Sequence, residues 1–263
     1  MTMDCLVCRN TSDSFAGATI MGKYEIEYFR CRDCQFIQTE EPYWLEEAYN
    51  HAIIPSDVGL IARNERLSRV VDRLLRYVYP QAFYCLDYGG GYGMFTRMMR
   101  DRGHHFLHRD PYCQNLFAPG LEGEPSAGGF DFLTALEVFE HFDNPHRELQ
   151  VLDATADHWF VSTEPVPDPA PQPGQWWYYV LDGGQHISLW SKRALQTVAA
   201  HYGRQLISHR GVHVFSKTKT NPFWVKQILR DKASRVLDPF RRRRSLLRDD
   251  FQRAAAATLH RAA

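Results

Sequence analysis

Nothing in the 263 residues forms a long apolar run, and no stretch has the order of a secretion signal. A membrane-spanning helix needs about 20 consecutive apolar residues, so none is expected, and the chain is expected to be soluble and cytoplasmic. Net charge is also missing, with 31 Lys and Arg against 31 Asp and Glu. The balance is uneven, however. Residues 221–263 carry eleven Lys and Arg against four Asp and Glu, which leaves 20 against 27 for the rest. An acidic body argues against a nucleic-acid binder, whose affinity comes chiefly from neutralising phosphates. Cysteine is scarce, at six residues. Cys85 and Cys113 stand alone and are expected to be packing residues. The length suffices for one larger domain with a small appendage.

The other four cysteines occur as Cys5-x-x-Cys8 and Cys31-x-x-Cys34. Two such pairs can sit on two tight knuckles and close a tetrahedral shell of four thiolates, which leaves no open position for substrate. A structural Zn2+ is therefore expected in preference to disulfides, given the cytosolic character of the chain. Between the pairs, Tyr24-Glu25-Ile26-Glu27-Tyr28-Phe29 alternates as a half-exposed strand does. Residues 1–40 are thus expected to form a zinc ribbon that needs its metal to fold.

The dinucleotide fingerprint G-x-G-x-x-G is absent, because Met94 or Thr96 stands where its last glycine belongs. What is present is Asp87-x-Gly89-x-Gly91-x-Gly93, after an aromatic and β-branched run and before a helical pattern. Glycines there permit positive φ and let a ligand approach backbone at a helix N-terminus. An acid at the strand end repels a pyrophosphate but attracts an ammonium and a sulfonium, the charges of S-adenosylmethionine (SAM). A second short strand ends at Asp110, about twenty residues on, where a carboxylate can accept both ribose hydroxyls. Asp87 to Gly93 together with Asp110 resembles the SAM-binding half of class I methyltransferases, and the similarity runs through roughly Tyr84 to Thr218. The ribbon ahead of it resembles the layout of zinc-containing methyltransferases of sugar and natural-product pathways.

Leu60, Ile61, Asn64, Leu67, Val70, Val71, Leu74, Leu75 and Val78 recur every three to four residues, which predicts an amphipathic helix over the sheet. A third strand is expected within the glycine-rich stretch 120–129, a fourth at Phe130–Leu136 and a fifth at His158–Ser162. Asn144-Pro145 and Ser191 signal helix starts, and Leu206 to Phe215 suggests a hairpin about Gly211. The fold class is therefore α/β: a Rossmann-like, doubly wound, mostly parallel sheet with a C-terminal antiparallel hairpin, plus the N-terminal ribbon. The expected divisions are the ribbon at 1–40, a linker and covering helix at 41–80, a SAM-binding domain at 81–220 and a basic helical tail at 221–263. Arg241 to Arg244, with Phe240, Leu246, Leu247 and Phe251 around them, present either a solvated face or a surface that docks a partner or the inner membrane face. Nothing in the sequence sets the oligomeric state.

Methyl transfer from a sulfonium is an in-line displacement, so the protein must supply positioning and deprotonation of the acceptor. The fourth strand delivers Glu137-Val138-Phe139-Glu140-His141 to the carboxyl edge of the sheet, where ligands of open α/β folds bind. A later His186 can join them. This run resembles the divalent-metal site of O-methyltransferases acting on vicinal hydroxyls, such as ubiquinone-pathway enzymes and small-RNA 3′-end 2′-O-methyltransferases. By that resemblance Glu137, Glu140, His141 and His186 would hold Mg2+ or Mn2+. Without a metal, Glu137 would touch the cofactor, Glu140 would brace the fold, and His186 or His141 would act as general base. The acceptor is expected to be a small polar molecule, sugar-like or a natural product, methylated on a hydroxyl or a carbon. An RNA-modifying 2′-O-methyltransferase or an RNA-binding protein is the alternative. Trp176-Trp177-Tyr178-Tyr179, beside five alternating prolines, suits a substrate wall or an ordinary crossover.

Overall fold

The computed structural model describes residues 1–50, 57–126, 128–230 and 243–253. The N-terminal strands are β1 (Thr2–Asp4), β2 (Thr11–Ile20), β3 (Tyr24–Cys31) and β4 (Ile37–Thr39), all antiparallel. Met21 and Gly22 both have positive φ, at 52° and 71°, and close the β2–β3 turn. After the short α1 (Leu45–Ala48) comes α2 (Leu60–Tyr77), which buries Leu67, Val70, Val71, Leu74 and Leu75 as its periodicity requires. The next elements are β5 (Tyr84–Tyr88), α3 (Met94–Asp101), β6 (His105–Arg109) and β7 (Phe130–Leu136). They are followed by α4 (Pro145–Thr155), β8 (Ala156–Ser162), β9 (Ser188–Leu189), α5 (Lys192–His201), β10 (Gln205–His209), β11 (Val212–Ser216) and α6 (Pro222–Leu229).

The main sheet has six strands in the order β10-β11-β8-β7-β5-β6. Contacts among β6, β5, β7 and β8 are parallel, while β11 and β10 run antiparallel as the hairpin about Gly211. One face buries α2, Phe95 and Met99 of α3, and Val225, Ile228 and Leu229 of α6. The other buries Leu149 and Leu152 of α4 and Leu195 and Val198 of α5. The expected α/β, doubly wound class with its antiparallel hairpin is the observed one. Helix starts obey the capping logic, since Asn144 and Ser191 accept from Arg147 N and Ala194 N at 3.1 and 2.9 Å.

Two expectations are corrected. No strand forms across the described part of 120–129. Only Glu122 makes an isolated bridge to His108, with His108 N donating to Leu121 O and Gly123 N to His108 O at 2.8 and 2.9 Å, and Pro119 and Pro125, which have no N–H to donate, stand on either side of it. The tail is also not one helix. Among described residues, α6 ends at Leu229, residues 243–246 are non-helical and a second helical stretch covers 247–253. Phe240, Arg241 and Arg242 lie outside the described residues.

The ribbon does not stand apart. β9 pairs with β4, Leu189 opposite Ile37, so the N-terminal sheet is completed by a strand from the far half of the chain. Cys5, Cys31, Cys34 and Phe36 share one apolar cluster with Trp190 and the α4–α5 face. Ser191 Oγ donates to the Cys34 carbonyl.

Candidate active site

β5 ends in the glycine turn, and the turn's geometry accounts for each glycine of the motif. Gly89, Gly91 and Gly93 have φ of 68°, 56° and 83°, a region that costs non-glycine residues strain. A Cβ on Gly93 would lie 2.3 Å from Asn115 Oδ1, and one on Gly89 would lie 2.5 Å from Val138 Cγ2. The turn is pinned from the β6 side. Gly89 N donates to Arg109 O at 2.8 Å, Gly91 N to Asp110 Oδ2 at 2.9 Å, and His108 Nε2 lies 2.8 Å from Gly91 O. Asp110 also accepts from Tyr112 N and Cys113 N through Oδ1, at 2.8 and 2.9 Å. One carboxylate therefore holds both loops beside the turn.

Asp87 is buried, and its carboxyl faces Thr134 and Thr96, whose hydroxyls donate at 2.8 and 3.0 Å. Burial pushes its pKa up to about 6, against the pull of those hydroxyls. It lies at the floor of the cavity rather than offering two free oxygens to it.

That cavity, of about 1,200 Å³, runs along the carboxyl edge of the main sheet. At one end it is lined by Gly89 to Tyr92, Asp110 to Cys113 and Leu136 to Val138. At the other it is lined by Leu45, Tyr49, Arg63, His141, Trp177, Tyr178 and His186. The glycine turn and the histidines expected to act in catalysis thus open into one space.

Glu137, at the tip of β7 with φ 54°, links the first end to the second. Its Oε1 accepts from Ser162 Oγ at 2.5 Å, and Tyr178 Oη lies 3.4 Å from Oε2. A 3₁₀ turn, Phe139–His141, follows. Glu140 is fully buried, with Oε1 accepting from the Tyr178 hydroxyl and Oε2 without a partner. Burial, then the charge of Glu137, raises its pKa well above the carboxylate range. His141 Nδ1 lies 3.2 Å from Tyr49 Oη, and its ring meets the His186 ring edge-on at 5.0 Å. His186 Nδ1 is 2.7 Å from the Tyr178 carbonyl, so Nδ1 carries the proton and Nε2 is left as an acceptor. Burial lowers His141 to about 3, with His186 adding to the effect, and lowers His186 to about 4. Both rings are neutral near pH 7.

Glu140, His141 and His186 offer ligand atoms all within 4.8 Å of one another. Glu137, expected as a fourth, is not in that set. The orphaned Glu140 oxygen and two neutral imidazoles form a donor set that fits a divalent ion. The four cysteine sulfurs likewise lie within 4.8 Å of one another. A tetrahedral zinc thiolate site needs sulfurs roughly 3.8 Å apart, and the Cys5–Cys34 and Cys8–Cys31 separations are 3.5 and 3.4 Å. The Cys34 thiol hydrogen bond holds Cys5 down to about 5.

Sequence reasoning missed the Tyr178 hydroxyl, Tyr49 and Arg63. The aromatic run named Tyr178 as a wall, but its bond to Glu140 and the Tyr49 contact with His141 join distant segments, and no spacing encodes them. Arg63 was hidden on the polar side of α2, where it pairs with Asp57 at 2.7 Å.

The family model described as a methyltransferase domain matches residues 61–209. No curated protein matches the sequence. Among solved structures, one of Burkholderia thailandensis 1,6-didemethyltoxoflavin-N1-methyltransferase, with bound 1,6-didemethyltoxoflavin and S-adenosylhomocysteine, has a TM-score of 0.50 and 13% identity over 78% of this chain and 100% of that one. Human N-acetylserotonin methyltransferase in complex with SAM gives 0.43 and 14%, over 67% of this chain and 66% of that one. A methyltransferase of calicheamicin biosynthesis in its SAH-bound form gives 0.39 and 15%, over 59% and 54%. At these identities the likeness is one of fold.

Proposed function

The chain belongs to the methyltransferase-domain family, and from that premise we propose that it transfers a methyl group from SAM to a hydroxyl of a small polar acceptor. The observation that carries this reading is the shared cavity, with the glycine turn and Asp110 at one end and the His141–His186 pair at the other. SAM lies along Gly89, Gly91 and Gly93, and Asp110 meets its ribose. The positive end of α3 is not asked to bind a phosphate, because the cofactor carries none. The acceptor hydroxyl lies against His186, whose Nε2 lone pair takes the proton as the methyl group moves. Tyr49, Trp177 and Tyr178 close around it and exclude water.

Nine acidic residues line the cavity against three arginines, so an uncharged or cationic acceptor is favoured over a nucleic acid. A second reading rests on the orphaned Glu140 Oε2. A divalent ion held by Glu140, His141 and His186 would lower the pKa of the acceptor hydroxyl. Zinc in the four-cysteine cluster is the structural metal of this proposal.

The test is a screen for S-adenosylhomocysteine formation against sugars, phenols and RNA ends, with calorimetry of SAM binding. SAM should bind, and Asp110→Ala should weaken it at least tenfold. Unchanged affinity would reject the cofactor site. If His186 acts alone, His186→Ala should cost about 10²- to 10⁴-fold in rate, and brief EDTA treatment should leave turnover intact. Immediate loss with EDTA, restored by Mg2+ or Mn2+, would select the metal reading.

A further inference from the structure

Tyr178 contacts both halves of this cluster through different atoms. Its side chain is 1% exposed. The hydroxyl donates to Glu140 Oε1 and lies 3.3 Å from Thr163 Oγ1. The carbonyl accepts from His186 Nδ1 at 2.7 Å, and the ring packs on the His186 ring at 4.8 Å. The residue stands in a 3₁₀ turn, Trp177–Tyr179, that ends at Val180 with φ 45°. A β-branched residue is disfavoured there, so surrounding contacts must hold the turn. Gly183 N and Gly184 N both return to Val180 O, at 3.0 and 3.2 Å, and carry the chain directly to His186. At the other end of the turn Trp177 is exposed and lines the cavity.

Resting on the reading of His186 and Glu140 given above, we propose that Tyr178 is the positioning residue of the cluster. Its hydroxyl anchors the turn to Glu140, and the turn's carbonyl fixes His186 as the tautomer protonated on Nδ1, so that Nε2 faces the acceptor. The aromatic wall and the base thereby move as one body.

Two readouts test this in the full-length protein. Ring ¹⁵N shifts of His186 should report a single tautomer, Nδ1 protonated, in the wild type. Tyr178→Phe keeps the ring and removes only the hydroxyl, and should leave a mixture of tautomers. An Nε2-protonated wild type, or identical spectra in the two proteins, would overturn the proposal. In turnover, Tyr178→Phe should lower kcat by about 10²-fold with KM for SAM unchanged. In a Glu140→Leu background, which has no acceptor for the Tyr178 hydroxyl, the same change should cost less than about threefold, since coupled residues are non-additive. Equal losses in both backgrounds would also overturn it. If the wild type forms no S-adenosylhomocysteine with any acceptor, the methylation reading fails instead, and the ring spectra still decide the role of Tyr178.

Discussion

His213 shows how a single buried residue ties stability to pH. It sits on β11, 1% exposed, with Nε2 at 3.0 Å from Thr163 O and Nδ1 at 2.9 Å from Ser208 Oγ. A neutral ring satisfies both partners, one as acceptor and one as donor. Burial lowers its pKa to about 4, against the pull of the Thr163 carbonyl. In the unfolded chain the value is about 6.5. Below that value the unfolded state binds the extra proton and the folded state resists it, so stability is full above pH 6.5 and falls as pH drops toward 4. Asp87 works in the opposite sense. Its raised pKa favours the folded state at low pH, and that contribution is lost as pH rises from 3.8 to about 6. Comparing the wild type with His213→Gln cancels the Asp87 contribution. Between pH 7 and pH 5 the wild type should lose about 2 kcal/mol more than the variant in urea denaturation. Equal losses would place His213 in a solvated environment.

Among elements, the joint between the N-terminal strands and the main domain has the largest consequence. Ile37 and Gln38 pair with Leu189 and Ser188, and the Phe36 ring packs on Trp190 at 4.9 Å. Trp190 Nε1 in turn donates to Phe139 O at 2.8 Å, inside the turn that carries Glu140 and His141. If zinc occupies the four cysteines, as proposed, its binding free energy is folding free energy, and β4, β9 and the Phe139 turn share it. Cys31→Ser or prolonged chelation should therefore lower the Tm of the whole domain and change near-ultraviolet dichroism from Trp190, rather than melting residues 1–40 alone. A two-step transition with an unshifted main step would show the ribbon to be independent. The parts of this arrangement were unequally legible in the sequence. The cysteine pairs, the periodicity of α2, and the caps Asn144 and Ser191 are local patterns and stand where the residues put them. β9 is two residues long and takes its identity from β4, about 150 positions earlier, so no local pattern could announce it. The expected strand within 120–129 shrinks to the single bridge at Glu122 beside β6, because Pro119 and Pro125, which lack the N–H a ladder needs, bracket it. Asp87 and Glu140 were legible as acids at strand ends, but which way their carboxyls face depends on Thr134, Thr96 and Tyr178.

For the molecule as a whole, the contact that docks the C-terminal segment runs against the segment's overall charge. The basic C-terminal segment lies against the acidic body through Asp250, which meets Arg100 Nε and Nη2 at 2.7 and 2.6 Å and Arg97 Nη1 at 2.9 Å. Arg100 is 3% exposed and its remaining donor reaches Phe106 O at 3.0 Å. Leu246 N donates to Arg100 O at 3.0 Å. Beside it Gly103, with φ 83°, leaves room for the segment, because a Cβ there would lie 2.4 Å from Arg244 O. Residues 243–253 are thus packed on α3, the helix that opens at the glycine turn, and this described part of the tail belongs to the fold. Leu247 and Phe251 remain exposed, so a docking role for the tail is compatible with the contact. The two neighbouring aspartates separate packing from surface charge. Asp250→Ala leaves the Arg100 guanidinium buried without its carboxylate, a change that costs about 3–5 kcal/mol in comparable buried pairs. Asp249 is half-exposed and 3.7 Å from Arg244, and exposed pairs of that kind contribute about 0–1 kcal/mol. Urea denaturation should therefore show a large loss for Asp250→Ala and almost none for Asp249→Ala. Similar small losses in both would mean that the segment is not held against α3 in solution, and that Arg100 finds water in its place.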